Sequence, residues 1–132
     1  MSHTVEKIGG TSMSQYESVR DNIILGCNAG SRTMGRIMVV SAYGGITDLL
    51  LEHKKSGYLG VYGLFSANED GKSWRAAMDV VRQEMLAINR HLFTDADSCR
   101  QADEFIGERL DTTLRCLEDL QRLCEHGHFS LH

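Results

Sequence analysis

Ile37-Met38-Val39-Val40-Ser41-Ala42-Tyr43-Gly44-Gly45-Ile46-Thr47-Asp48 is the stretch that decides the fold. Four consecutive apolar residues, bounded by Gly35 and by Gly44-Gly45, have the form of a strand buried on both faces, as in a parallel sheet. Small and hydroxylated residues follow, then the paired glycines, then a helix predicted from Ile46 to Lys55. Leu49, Leu50 and His53 lie near one face of that helix, and Gly57 is its expected stop.

The same order occurs once upstream. Val5 to Ile8 is a short extended stretch ending in Gly9-Gly10, where a helix does not comfortably continue. Ser12 stands three residues before Gln15, the spacing of a capping box. Tyr16, Val19, Ile23 and Cys27 then recur at helical intervals until Gly30. Residues 1–57 therefore read β-α-β-α, with glycines after each strand.

Each strand-to-helix junction suits an anion. At Lys7-Ile8-Gly9-Gly10-Thr11-Ser12, glycines let the backbone approach closely and N–H groups at a helix start point outward. Lys7 adds a full positive charge beside them. Taken alone, Gly-Gly before a helix is more often a tight turn. At the second junction, Ser41 and Thr47 have an equally plain reading as turn and cap residues. Two such loops leaving neighbouring parallel strands would face one crevice, where ligands of open α/β sheets bind.

The second half changes character. Between Ser56 and Gly71, recurrent glycines with Tyr58, Tyr62 and Phe65 read as a structured loop. Trp74, Met78, Val81, Met85, Ile88 and Leu92 mark one stripe of a helix over residues 73–93. Thr94 with Asp97 offers a new N-cap. A second stripe runs through Ala102, Ile106, Leu110, Thr113, Leu117, Leu120 and Cys124, so residues 72–126 form an αα-hairpin.

Composition bounds the function. At 132 residues the chain holds one modest core at most, and 42% apolar with 24% charged residues is ordinary for a globular protein. A net charge of -4 argues against a general nucleic-acid binder. No apolar run approaches the ~20 residues of a membrane span, and the N-terminus lacks the form of a secretory signal. A cytoplasmic location is expected, with Cys27, Cys99, Cys116 and Cys124 as reduced thiols. His126, His128 and His132 are read as a solvated tail, with no metal site.

Lys7-Ile8-Gly9-Gly10-Thr11-Ser12 resembles the opening Lys-Phe-Gly-Gly-Thr-Ser motif of the aspartokinases. Val39 to Leu50 resembles that family's second motif, in the same order and spacing. The wording of Lys7 to Met13 and Tyr43 to Gly57 is most similar to the aspartokinases of ectoine synthesis. The resemblance covers about the first 55 residues sharply and the helical half only by pattern.

It implies an α/β fold: the N-terminal portion of an αβα amino-acid-kinase sandwich, β-α-β-α, followed by the long αα-hairpin, as one partial catalytic domain over 1–132. It implies ATP-dependent phosphorylation of the L-aspartate β-carboxylate, with Mg²⁺ accompanying ATP, in lysine, threonine or ectoine biosynthesis. Lys7 would be catalytic and would bind phosphate with Gly9 and Gly10, while Ser41 and Thr47 would hold aspartate. A homodimer is expected.

The family's Ser-x-Gly-Glu motif is absent. Gly107-Glu108 lacks the serine and sits within a helical stripe, so it reads as a decoy whose glycine is explained by tight packing. The true motif and the nucleotide segment are expected beyond His132, and the 132 residues alone are expected to be inactive. Two other classes stay open: another amino-acid kinase with a different acceptor, and a non-catalytic module built on the hairpin.

Overall fold

The computed structural model describes residues 3–26, 35–67 and 71–127. It is mixed α/β, mostly helical, with one small parallel sheet. The chain divides into two units, Met1–Gly45 and Ile46–His132, each with a hydrophobic cluster of its own, so the single core expected from length is not found.

In the first unit, strands β1 (Thr4–Ile8) and β2 (Arg36–Val40) pair in parallel, Thr4 opposite Arg36 and Ile8 opposite Val40. Between them come two short helices, α1 (Gly10–Met13) and α2 (Tyr16–Val19), and a π-helical turn, Arg20–Ile24. The continuous helix expected after Ser12 is thus broken. Gly9, not Ser12, precedes the first helical residue, with extended backbone at φ -77°, ψ 166°. Gln15 leaves helical geometry, and its N–H donates to Ser12 O at 2.9 Å, making a turn where a capping box was expected. Beyond α2 the ladder widens: Leu25 N–H reaches Arg20 O, five residues back, at 2.7 Å. The carbonyls of Ile23 and Ile24 accept from the Arg36 guanidinium at 2.7 and 3.1 Å. That side chain satisfies acceptors which an ending helix leaves free. The expected members Cys27 and Gly30 lie outside the described residues.

Ile8, Met13 and Val19 form this unit's core, with Tyr16, Ile24 and Tyr43 packed against it. Side chains alternate along a strand, so Val5, Lys7, Ile37 and Val39 share the other face. There Val5 is 68%, Ile37 51% and Val39 49% exposed. The two-sided burial expected of residues 37–40 is not found. A two-stranded sheet makes each strand an edge, and the described core covers one face of it.

In the second unit, α3 (Ile46–Leu50) ends five residues sooner than expected. The backbone after Leu50 finds partners across a turn instead: Glu52 and Leu59 form an antiparallel bridge. His53 N–H donates to Tyr58 O, and Gly60 N–H to Leu51 O, both at 2.9 Å. Gly57, at φ +70°, supplies the left-handed residue of this turn and is not a helix stop. His53 Nδ1 accepts the Ser56 N–H at 3.1 Å inside it. The stretch read as a loop contains a further helix, α4 (Val61–Ala67), which buries Val61 and Phe65.

Helices α5 (Ser73–Leu92) and α6 (Ala96–Gly127) make the αα-hairpin. Asp95, not Thr94, caps α6, its carboxylate accepting Ser98 N–H at 2.8 Å. That hydrogen bond chiefly holds the Asp95 carboxyl below the usual range. Val61, Met78, Val81 and Leu110 form the core, with Leu49, Leu50, Met85, Ile106, Leu114 and Leu117 around it. Trp74, Met78 and Val81 are fully buried, so the predicted α5 stripe faces inward. On α6, Thr113 and Leu120 are exposed while Leu114 packs inward. The Thr113 hydroxyl donates back to Arg109 O at 3.0 Å.

Three polar rungs join the two helices at seven-residue spacing along α5. They are Arg75–Glu118 at 3.4 Å, Arg82–Asp111, and buried Asn89 donating to Asp103 at 2.8 Å. Gly107-Glu108 lies inside α6 with Glu108 exposed. Tight packing does not explain the glycine: a Cβ there would meet only Arg82 Nη1, at 3.7 Å.

Cys99, Cys116 and Cys124 are free, Cys116 exposed and the other two half-buried, while Cys27 lies outside the described residues. His126 Nδ1–H donates to Arg122 O at 3.0 Å, whereas His128 and His132 also lie outside. Among the described residues no three His, Cys, Asp or Glu side chains gather as a metal site, and no helix is long and apolar enough to cross a membrane.

Candidate functional site

The parallel register ends both strands at one level, Ile8 beside Val40, so the two glycine loops start side by side. Ser41 N–H extends the ladder by donating to Ile8 O at 3.1 Å. The first loop turns at once into α1, where Met13 N–H donates to Gly9 O at 3.0 Å and Ser14 N–H to Gly10 O at 3.2 Å. The second runs from Ser41 through Tyr43 to Gly45. Gly45 has φ +85°, a conformation that disfavours any residue with a Cβ.

The loops touch. A Cβ on Gly10 would lie 3.5 Å from Ser41 Oγ and 3.7 Å from Ala42 O, ordinary contact distances. A Cβ on Gly44 would fall within the van der Waals envelope of Ser14 Oγ and 3.3 Å from Ser14 Cβ. Gly9, by contrast, has open space where a side chain would be.

Lys7, Gly9, Gly10 and Ser41 thus belong to one unit, at the carboxyl end of its sheet. Lys7 is exposed, on the open face with Val5, Ile37 and Val39. Thr47 belongs to the second unit. It is exposed in the first turn of α3, and its carbonyl accepts Leu51 N–H at 2.9 Å. Lys7 has no fixed partner among the described residues, which leaves its ammonium available to an incoming anion.

Three contributors escaped the sequence reading. Tyr43 reaches the core of the first unit, and burial, with Tyr16 beside it, pushes its phenol up. Ser14 spans the two loops. The Glu6–Arg36 pair ties the two strands. The last carried a signal: Glu6 and Arg36 have the parity of inward residues in their strands, and opposite charges at such positions pair. Nothing local marks Ser14, because its contact is with a residue thirty positions away.

The chain is 51% identical over 129 residues to "Aspartate kinase Ask_Ect" of Stutzerimonas stutzeri (strain A1501). The match covers 98% of this chain and 27% of that protein, so the chain spans about a quarter of its relative's length. No protein-family model and no solved structure matches.

Proposed function

We propose that this chain is part of an aspartate kinase, and that its two glycine loops form one wall of the phosphoryl-transfer site. The observation that carries the reading is the 51% identity, running through both glycine loops, to a protein named aspartate kinase. The loops' adjacency supports it, because phosphoryl transfer relies on positioning and electrostatic stabilisation more than on covalent help from the protein.

In this reading a β-carboxylate oxygen of L-aspartate attacks the γ-phosphorus of ATP, supplied with Mg²⁺. The bond to the β–γ bridging oxygen breaks, and ADP leaves as 4-phospho-L-aspartate forms. The attacking carboxylate is already ionised, so no general base is required. Lys7 neutralises charge on the transferring group, with Gly9 and Gly10 bringing backbone N–H groups near it. Ser41 and Thr47 hold aspartate. The wider fold is the αβα amino-acid-kinase sandwich, the assembly a homodimer, the location cytoplasmic and the pathway that of ectoine or of lysine and threonine.

The test is trapping of the acyl phosphate with hydroxylamine, using the product of the whole reading frame, ATP, Mg²⁺ and L-aspartate. Hydroxamate formed with aspartate and not with glutamate or acetate supports the reading. Hydroxamate formed only with another acceptor replaces aspartate kinase with a different amino-acid kinase, and ATP consumption with none of them overturns it.

A further inference from the structure

Glycine at position 44 has no backbone cause. Its φ is not among the positive values, unlike that of Gly45 at +85°, so any residue could adopt its conformation. The reason lies across the site. Ser14 occupies the space where a Gly44 side chain would stand: its Oγ falls inside that envelope and its Cβ at 3.3 Å from the would-be Cβ. Ser14 is itself held by two hydrogen bonds to one acceptor. Its N–H donates to Gly10 O at 3.2 Å and its hydroxyl to the same oxygen at 3.3 Å. One small side chain is therefore anchored on the first glycine loop and seated on the second.

We infer that Ser14 is a positioning residue, the spacer that fixes the gap between the loop carrying Gly9 and Gly10 and the loop carrying Ser41. The inference rests on the kinase reading for what that gap does. If one loop holds the phosphoryl group and the other the carboxylate, their separation sets the approach of attacking oxygen to phosphorus. Near-attack geometry tolerates only small errors, and a displacement of ~1 Å can cost ~100-fold in rate. A methyl group at 44 must rotate the Ser14 hydroxyl off Gly10 O, and even then the Ser14 Cβ at 3.3 Å requires the loops to give by a few tenths of an ångström. Ser14 touches neither substrate in this account; it acts through the loops.

The pair predicts compensation. Gly44→Ala should lower kcat by about tenfold, with the KM for ATP and for aspartate each moving less. Adding Ser14→Gly removes both clashing atoms and leaves Gly10 O, at 3.7 Å, as the nearest neighbour of the new methyl. The double variant should recover kcat to within about threefold of wild type. A purely structural contact would instead lower the melting temperature and leave the kcat of the folded protein unchanged. Either that result, or a Gly44→Ala defect that Ser14→Gly does not relieve, overturns the inference.

Amide spectra separate this from failure of the kinase reading. If the wild type makes no acyl phosphate, the kinase reading falls, and the spacer is judged on ¹H–¹⁵N shifts alone. Ser14→Ala should then move the Gly44 amide, and Gly44→Ala the Gly10 amide. Shifts confined to the mutated loop overturn it.

Discussion

The Arg36 guanidinium grips the Glu6 carboxylate twice across neighbouring parallel strands, Nη2 to Oε2 at 2.6 Å and Nε to Oε1 at 2.8 Å. Fork-to-fork pairs of this kind fix geometry as well as charge. The same guanidinium holds the carbonyls that end the π turn, so one side chain ties β1, β2 and the intervening helical segment together.

Arg36's hydrogen bonds are the chief cause holding the Glu6 carboxyl below the ordinary glutamate value. Folded protein therefore binds fewer protons here than unfolded chain does in acid. The stabilisation is complete above the unfolded value, ~4.3, and is lost as pH falls through the lowered folded one. Melting followed from neutrality to about pH 3 should show an acid limb that Glu6→Gln flattens. An identical limb in wild type and variant would remove the pair as its source.

Lys7→Ala should cut kcat about a hundredfold, the scale of losing one preorganised charge partner, with a smaller effect on aspartate KM. Lys7 has no fixed partner among the described residues, so folding should be preserved. Steady-state kinetics decide, and near-normal turnover would exclude Lys7 from catalysis.

Gly60→Ala should destabilise the second unit by about 1–3 kcal/mol or more. A Cβ at 60 collides with Leu49 O and lies 2.8 Å from Asp48 O, and backbone atoms cannot swing aside as a side-chain tip can. Denaturant unfolding measures the loss; a change within error would mean that the 52–60 turn relaxes freely.

Gly107→Ala should act in the opposite sense, stabilising by up to about 1 kcal/mol. The position is helical, and the added methyl meets only an arginine tip at ordinary contact distance. Chemical denaturation provides the measurement. A destabilised variant would show that the hairpin closes more tightly there than 3.7 Å to Arg82 implies.

Met78→Ala should cost about 2–5 kcal/mol, the range for emptying a fully buried site. Denaturation of the helical unit tests it, and a loss under 1 kcal/mol would show that the site collapses around the gap.

The hairpin was legible because burial imposes a period on sequence: Trp74, Met78 and Val81 fall at helical intervals and are fully buried. The strand at Ile37 to Val40 was legible from its unbroken apolar run between glycines, although the burial that run implied on both faces is not found. Where backbone hydrogen bonds choose among partners, the sequence is mute. Leu50 could have continued its helix as well as begin a turn, and the choice was settled by pairing of Glu52 with Leu59. Asp95 and Thr94 are both competent caps, and only the geometry of α6 distinguishes them. Asn89 lies beside the apolar stripe, and its burial follows from a partner, Asp103, fourteen residues on. The glycine loops were legible as motifs; their contact through Ser14 was not.

Trp74 is the chain's one tryptophan. It is sealed from water, with the Arg75 guanidinium 4.3 Å above its ring and Phe65 edge-on at 5.4 Å. It is therefore a built-in optical label for residues 46–132, with blue-shifted emission that moves red when water reaches the indole. The first unit carries only tyrosines, Tyr16 and Tyr43, and is dark under tryptophan-selective excitation. Heating while recording that emission alongside Tyr16 and Tyr43 ring proton resonances times the loss of order around the glycine loops against the opening of the hairpin, with no dye or tag attached.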